Sequence, residues 1–333
     1  MTEAVNDETA RALRRTWFDY LDTIEPLRAP LHAYGLRLTG SVWDAEDLVQ
    51  DTLLKGFAMI GRGDLHGPGS PVANTRAYLF RTATHLWIDA QRRRARERAI
   101  LAEPVAAAAE PAPEAVRMAG EALMAAASPQ ARAAVILKEV FGFSLEEIAD
   151  ALFTTPGAVK AALHRGRGAL AAAAEAPAIS DRPGPSAALV DRFVDAFRAR
   201  DVGRLTAVLT ETCSIEVPGV GGGRGRRGGW AEASTGHGEV RLRGATYRGE
   251  TVVLFFDDDH RLYDVARIEE ADGLVARLIH HCFCPDTVAA IGAELGLPVT
   301  SWGYHQPPEM LVQMIATTTL PWGAAGMTHH TAG

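Results

Sequence analysis

The chain has 333 residues, 47% of them hydrophobic and 23% charged. This globular composition excludes wholesale disorder and fits two or three domains. No run of about 18 apolar residues is present, which excludes a membrane-spanning helix, and three cysteines (Cys213, Cys282, Cys284) are too few for a disulfide framework. With an acidic, polar start from Met1 to Glu8 that carries no secretion signal, a reducing cytoplasm is the expected compartment. The net charge of −7 disfavours a nucleic-acid partner only as an average. Residues 1–170 carry 20 basic and 21 acidic residues against 14 and 20 in the remainder, so local pattern in the near-neutral front half is what nucleic acid would meet.

In chain order, Leu27, Leu31, Tyr34 and Leu38 recur at helical spacing and stop at Gly40. A second helix is predicted from near Asp44, a candidate N-cap, with Leu48, Val49 and Phe57 inward. Its acids Asp44, Glu46 and Asp47 suit the helix dipole. Gln50 and Asp51 lie deeper, where the dipole explains them less well, and an acidic face beside a basic helix suggests a protein partner. The third helix, Thr75 to Arg98, carries Arg76, Arg81, Arg92, Arg93, Arg94, Arg96 and Arg98 interleaved with Tyr78, Phe80, His85 and Trp87. Arginines that pair with phosphates and rings that stack on unpaired bases suit a DNA strand being opened. The alternative is a core of aromatics under a solvated basic end; Tyr78 and Phe80 read as core, and His85 fits either role.

An Ala/Pro-rich linker, Glu103 to Pro113, precedes the sharpest local signal. Ser144 and Glu147 form a capping box, Leu145, Ile148, Ala149 and Leu152 one apolar stripe, and Thr155-Pro156 a second helix start. Val159 and Leu163 then face inward, leaving Lys160, His164, Arg165 and Arg167 outward. Two short helices, a tight turn and a basic second face describe a helix-turn-helix; the plainer reading is an αα-hairpin with a solvated face.

A second linker, Ala171 to Ser186, rich in alanine and proline, leads into a segment of different character. Two helices (about 187–200 and 202–209) are followed by alternating strands at Cys213–Val217, Thr251–Phe256, Leu262–Glu269 and Leu274–Cys284, with a hairpin signal at Ala271-Asp272-Gly273. This is an α+β pattern expected to be antiparallel. On one extended strand His280, Cys282 and Cys284 would share a face, with His281 on the other. Three such residues in line do not surround an ion, so packed strand positions are favoured over zinc. The glycine-rich stretch Gly221–Gly229 lacks a strand–GxGxxG–helix context and reads as a mobile loop. The apolar run Met310–Ile315 is a candidate docking helix.

Taken together, Leu38-Thr39-Gly40 with Asp44 to Asp51, then Asn74 to Arg81 with Ile88-Asp89 and Arg92 to Arg94, then Ser128 to Arg132 with Ser144 to Arg167, resemble the extracytoplasmic-function (ECF) sigma factors of bacterial RNA polymerase. The resemblance covers about 25–170. It implies that Asp44, Glu46, Asp47, Leu48, Gln50 and Asp51 grip the β′ clamp helices of core RNA polymerase, whose β subunit is a further partner. It implies that Asn74, Arg76, Arg81, His85, Trp87, Arg92, Arg93 and Arg94 open the promoter −10 element, and that Thr155, Pro156, Lys160, His164, Arg165 and Arg167 read the −35 element. His85 stands where many relatives carry Asn, so the −10 preference is expected to differ.

The back half resembles, more loosely, the SnoaL-like (nuclear-transport-factor-2-like) cone fold. The expected architecture is multidomain: two all-α domains, at 10–99 (sigma region 2) and 115–172 (sigma region 4), then an α+β cone at 187–300. Linkers fall at 100–114 and 173–186, and a tail at 301–333. The cone is read as regulatory, with Trp230, Asp264, His280 and Cys282 as its pocket candidates for a small ligand. The rival is a DNA-binding half fused to a cyclase or isomerase, or to a ligand-sensing regulator. The rival's candidates are Trp230, Asp264, His280, His281, Cys282 and Cys284, whereas residues 25–170 supply no nucleophile, metal cluster or phosphate-cradling loop. No cofactor, metal or membrane partner is expected, and no feature demands a separate anti-sigma factor.

Overall fold

The computed structural model describes residues 24–60, 75–101, 128–173, 184–218, 221–224 and 241–301. Both predicted linkers fall largely outside the described residues, and Met310–Ile315 wholly so. The chain forms two compact units, one within Pro26–Ala178 and one carrying the residues from 184 onward.

The first unit is helical. Helix α1 (24–39) ends at Gly40, whose positive φ of 74° closes the last turn with a bond from its N–H to the Leu36 carbonyl. Helix α2 (Val42–Ile60) starts two residues after Gly40. Its cap is Ser41, whose hydroxyl accepts the Asp44 N–H at 3.3 Å, and not Asp44 itself, because the helix begins before that residue. Gly35 brings α1 and α2 together: a Cβ there would stand 3.2 Å from the Ala45 Cα. Helix α3 (Thr75–Leu101) buries Leu79, Phe80, Ala83, Thr84, Trp87 and Ile88, a single face at helical spacing.

Helices α4 (Pro129–Glu139), α5 (Leu145–Ala151) and α6 (Pro156–Ala173) complete this unit. Ser128 caps α4, accepting the Ala131 N–H at 3.3 Å. On α6 the buried set is Val159, Ala162, Leu163 and Gly166. Gly166 allows α6 to cross α4 closely, since a Cβ there would stand 2.6 Å from Val135 Cγ2.

The second unit opens with α7 (Ala187–Arg198), capped by Ser186, and α8 (Val202–Ala207), capped by Asp201. Six described strands follow: β1 (Leu209–Val217), β2 (Gly221–Arg224), β3 (Arg241–Tyr247), β4 (Glu250–Phe256), β5 (Leu262–Ala271) and β6 (Leu274–His280). They form one mixed sheet in the order β2-β1-β6-β5-β4-β3. Leu189, Phe193 and Phe197 of α7 pack with Ile215, Leu242, Val253, Phe255, Ala266 and Leu278 in one core. The β5–β6 turn matches its signal, with Asp272 and Gly273 at φ 53° and 71°, the left-handed pair of a type I′ turn. A last helix, α9 (Pro285–Leu295), packs on β5 and stops at left-handed Gly296.

Three expectations are corrected here, and one strand was not foreseen. The sheet is not purely antiparallel, because β1 and β6 run parallel. Gly221–Arg224 is not a loop but a strand, pairing Ser214↔Arg224 through Val217↔Gly221; backbone groups make the ladder without side chains. Strand β3 gave little alternation because, among its seven residues, only Leu242 and Tyr247 are buried. Finally, β6 ends at His280 and the chain turns, Cys284 preceding the first turn of α9. His280, Cys282 and Cys284 therefore do not share one strand face.

Candidate nucleic-acid interface

The helix-turn-helix is fixed locally before anything packs on it. Ser144 N–H donates to Glu147 Oε2 at 2.8 Å and Glu147 N–H to Ser144 Oγ at 3.0 Å. These bonds hold the Glu147 carboxyl below its usual range, and a cap of this kind contributes about 1 kcal/mol. The turn passes through Phe153 at φ 48°, and Thr155 Oγ1 accepts the Ala158 N–H at 3.2 Å to start α6. Thr155, Pro156, Lys160, His164 and Arg165 are all exposed. The side chain of Arg167 lies outside the described set. Burial of Val159, Ala162 and Leu163 beneath them orients this basic face outward.

On α3 the sequence candidates divide. Arg92, Arg93 and Arg94 are exposed, and Arg94 reaches Asp44 at 3.9 Å. The others engage the helix-turn-helix domain. Arg76 Nη2 donates to the Phe141 carbonyl at 2.9 Å, its guanidinium 4.4 Å from the Phe143 ring centroid. Arg81 pairs with Asp150 at 2.8 Å. His85 stacks on Phe153, centroids 4.2 Å apart and planes 20° from parallel, and burial pushes its imidazole below the ordinary value. Trp87 is only 3% exposed, with the Arg132 guanidinium 5.7 Å from its ring centroid. In this arrangement Trp87 is core, contrary to a DNA-stacking position, because it lies on the buried face of α3. Phe80 is fully buried, as its core reading had it. Asn74 lies outside the described residues.

The acidic segment of α2 also divides, and here burial decides. Glu46 is 0% exposed; its Oε1 accepts from Arg28 Nη2 and from Gln50 Nε2, each at 2.6 Å. Burial alone would raise this carboxyl, but the charges of Arg28 and His32 and the two hydrogen bonds outweigh it and lower its pKa to about 2. Leu48 and Gln50 are buried as well. These three side chains pin α2 inward and present no surface to a partner. Asp47 and Asp51 remain exposed, and the same stripe carries Leu54, 55% exposed. Reasoning on the acids alone missed Leu54; its i+3 spacing from Asp51 was the available signal.

In the second unit, Asp264 on β5 and His280 on β6 come together, Nδ1–H donating to Oδ2 at 2.5 Å. Asp264 Oδ1 accepts the His281 N–H at 2.7 Å, and His281 Nδ1 donates to the Val265 carbonyl at 2.8 Å. The His280 ring lies 5.4 Å from that of Phe255. Cys282 is buried, and burial pushes its thiol well up, so it is a poor nucleophile or ligand. Trp230 lies outside the described residues. Among the described residues no group of three or more His, Cys, Asp or Glu is gathered to hold a metal ion, and no helix is long and apolar enough to cross a membrane.

A capped helix-turn-helix with an exposed basic second helix, packed on a helical domain with an arginine-rich third helix, has the architecture of the DNA-binding domains of a transcription factor. Residues 23–97 match the family model described as Sigma-70 region 2, and residues 121–170 that described as Sigma-70, region 4. The chain is 32% identical over 240 residues to the ECF RNA polymerase sigma factor SigG of Mycobacterium tuberculosis (strain CDC 1551 / Oshkosh), covering 60% of this chain and 61% of SigG. It is 33% identical over 145 residues to the ECF RNA polymerase sigma factor SigL of the same species (strain ATCC 35801 / TMC 107 / Erdman), covering 41% of this chain and 77% of SigL. The chain belongs to the ECF RNA polymerase sigma factors. It spans about three fifths of the length of SigG. Among solved structures, the sigma factor RpoE in complex with the anti-sigma factor NepR from Bartonella quintana is similar at 27% identity and TM-score 0.35, covering 49% of this chain and 99% of that one. Mycobacterium tuberculosis extracytoplasmic function sigma factor SigJ is similar at 21% identity and TM-score 0.30, covering 78% and 95%.

Proposed function

We propose that this chain binds core RNA polymerase, recognises the −35 and −10 promoter elements, melts the −10 region and so initiates transcription in the cytoplasm. ECF sigma factors are non-enzymatic initiation factors, and the two matched regions occur here in family order. The observation that carries the reading is the outward basic face of α6, started by the Thr155 cap and held by a close crossing on α4. In this reading Thr155, Pro156, Lys160, His164, Arg165 and Arg167 meet the −35 element. Asn74, Arg76, Arg81, His85 and the arginines at 92–94 serve the −10 element, where melting is offset by captured bases and phosphate contacts. Asp44, Asp47, Asp51 and Leu54 form the polymerase-facing stripe of α2. Neither DNA-binding domain need bind strongly alone, since each raises the effective concentration of the other on the polymerase.

The unit beyond residue 184 is read as a SnoaL-like regulatory domain that tunes this activity. The Asp264–His280 pair, a polar island beside an aromatic core, supports a small-ligand site there. The test is reconstitution of core polymerase on a promoter library, with the full chain and with a chain ending near residue 171. Initiation at a defined promoter class is expected, with a changed rate on truncation. No initiation at any promoter refutes the sigma reading; an unchanged rate refutes the regulatory one.

A further inference from the structure

We propose that Phe153, in the turn of the helix-turn-helix, is a specificity-determining residue that meets the 5-methyl group of a thymine in the −35 element, a role that rests on the sigma-factor reading above. The turn itself gives a phenylalanine no reason to be there. Helix α5 closes with the Phe153 N–H on the Asp150 carbonyl at 3.3 Å and the Thr154 N–H on the Ala149 carbonyl at 2.9 Å. This Schellman closure sets its next-to-last residue in the left-handed region, where glycine is favoured, and Phe153 stands there at φ 48°. Helix α9 closes in the same way, Gly296 N–H to the Ala293 carbonyl and Leu297 N–H to that of Gly292, with Gly296 in this place at φ 65°. Helix α7 does so with Arg200 at φ 52°, a side chain that belongs in water. A phenyl ring does not, yet Phe153 is 78% exposed even with His85 stacked on one of its faces. Neither core packing nor turn chemistry accounts for it.

Position supplies the occupant. Phe153 lies two residues before Thr155, which caps α6, and lines one wall of a cleft with Ala158 and Arg165 of that helix. In a helix-turn-helix the first residues of the second helix touch base edges in the major groove. Here they carry little hydrogen-bonding chemistry. The Thr155 hydroxyl is engaged by the Ala158 N–H at 3.2 Å, and the exposed Pro156, Gly157, Ala158 and Ala161 have no polar side-chain atom.

Lys160, His164 and Arg165 are exposed beside them, and the positive charge there complements the phosphates that border the groove. A duplex held by these basic positions therefore meets an apolar surface at the turn and at the start of α6. In the major groove the apolar group that marks one base among four is the thymine 5-methyl, and alanine and phenylalanine are side chains that read it. Small residues at 157, 158 and 161 allow close approach, and Phe153 adds the reach they lack.

The test uses the full chain without polymerase. A random duplex pool is selected for binding at low salt, and each thymine of the enriched sequence is replaced in turn by deoxyuridine, which lacks only the 5-methyl. Losing one buried methyl-sized contact weakens binding roughly four-fold, so the parent is expected to lose about that factor at one or two thymines. Phe153→Gly is expected to bind the thymine duplex about four-fold more weakly and to lose nothing further with deoxyuridine at that position. Its Tm is expected to equal or exceed the parent's, since glycine fits a positive φ, and Phe153→Leu should restore part of the discrimination. A deoxyuridine penalty that survives in Phe153→Gly overturns the proposal, as does a parent indifferent to every replacement or a pool in which no sequence is enriched. A lowered Tm beside the weaker binding overturns it too, because that marks a packing residue. Initiation by the parent with core polymerase is measured alongside; failure there counts against the sigma reading, while the duplex measurements decide the role of Phe153 by themselves.

Discussion

Replacing Glu46 by Gln tests whether this carboxylate is a structural anchor or a surface contact. In the structure it is fully buried and accepts two hydrogen bonds of 2.6 Å, from Arg28 and Gln50. Its pKa falls from 4.5 to about 2, a preference for the charged form worth about 3 kcal/mol at 1.36 kcal/mol per unit. Breaking a buried pair by removing one partner costs on the order of 3–5 kcal/mol, so the two routes agree. A domain of this size loses roughly 4 °C of Tm per kcal/mol, and Glu46→Gln should lower the helical transition by about 12 °C or more. The acid limb provides a second reading. A carboxyl whose folded pKa is depressed contributes stability that is complete above its unfolded value near 4.5 and is lost as pH falls toward about 2. The wild type should therefore lose stability across that window, and the variant should lose less there, having no carboxylate to protonate. The assay is thermal unfolding followed by circular dichroism from pH 7 to pH 2, alongside core-polymerase affinity. An unchanged Tm with weakened polymerase binding would refute the reasoning, because that is the behaviour of an exposed contact.

Four further outcomes follow from the same structure. Gly166→Ala should cost about 1–3 kcal/mol by overpacking, since its Cβ would meet Val135 Cγ2 at 2.6 Å; adding Val135→Ala should recover Tm, and no recovery would place the strain elsewhere. Leu54→Arg, at a 55% exposed position, should weaken core-polymerase binding while leaving stability within about 0.5 kcal/mol of wild type; a matching loss of stability would show that Leu54 is a packing residue. Lys160→Ala should make duplex binding less salt-dependent, changing the log–log slope by about 0.9 if this side chain neutralises one phosphate; an unchanged slope removes it from the interface. His85→Ala should alter promoter choice in a library selection more than polymerase affinity, and equal loss of both would defeat its assignment to base capture.

The local rules were legible in the sequence because they act over three or four residues. The Ser144/Glu147 box, the Thr155-Pro156 start, the Gly40 stop and the Asp272-Gly273 turn all stand where the sequence placed them, each fixed by backbone chemistry that needs no distant partner. The order of the two helical regions was likewise readable from motif, but the buried face of α3 only in part: Leu79 and Ile88 are buried, while Trp87, read among the DNA-facing residues, is core.

Tertiary structure decided what periodicity leaves degenerate. Asp47 and Glu46 are adjacent acids, yet one faces water and the other is buried against Arg28, a residue 18 positions away whose pairing no local pattern announces. Strand β1 runs parallel to β6 across more than 50 residues of chain, and Gly221–Arg224 becomes a strand because a neighbour offers it a ladder. The meeting of His85 with Phe153 likewise depends on packing between segments far apart in the chain. Sequence determines which groups are available and how each segment curls; only the closed packing of those segments determines which charges are desolvated and which surfaces are spent on one another.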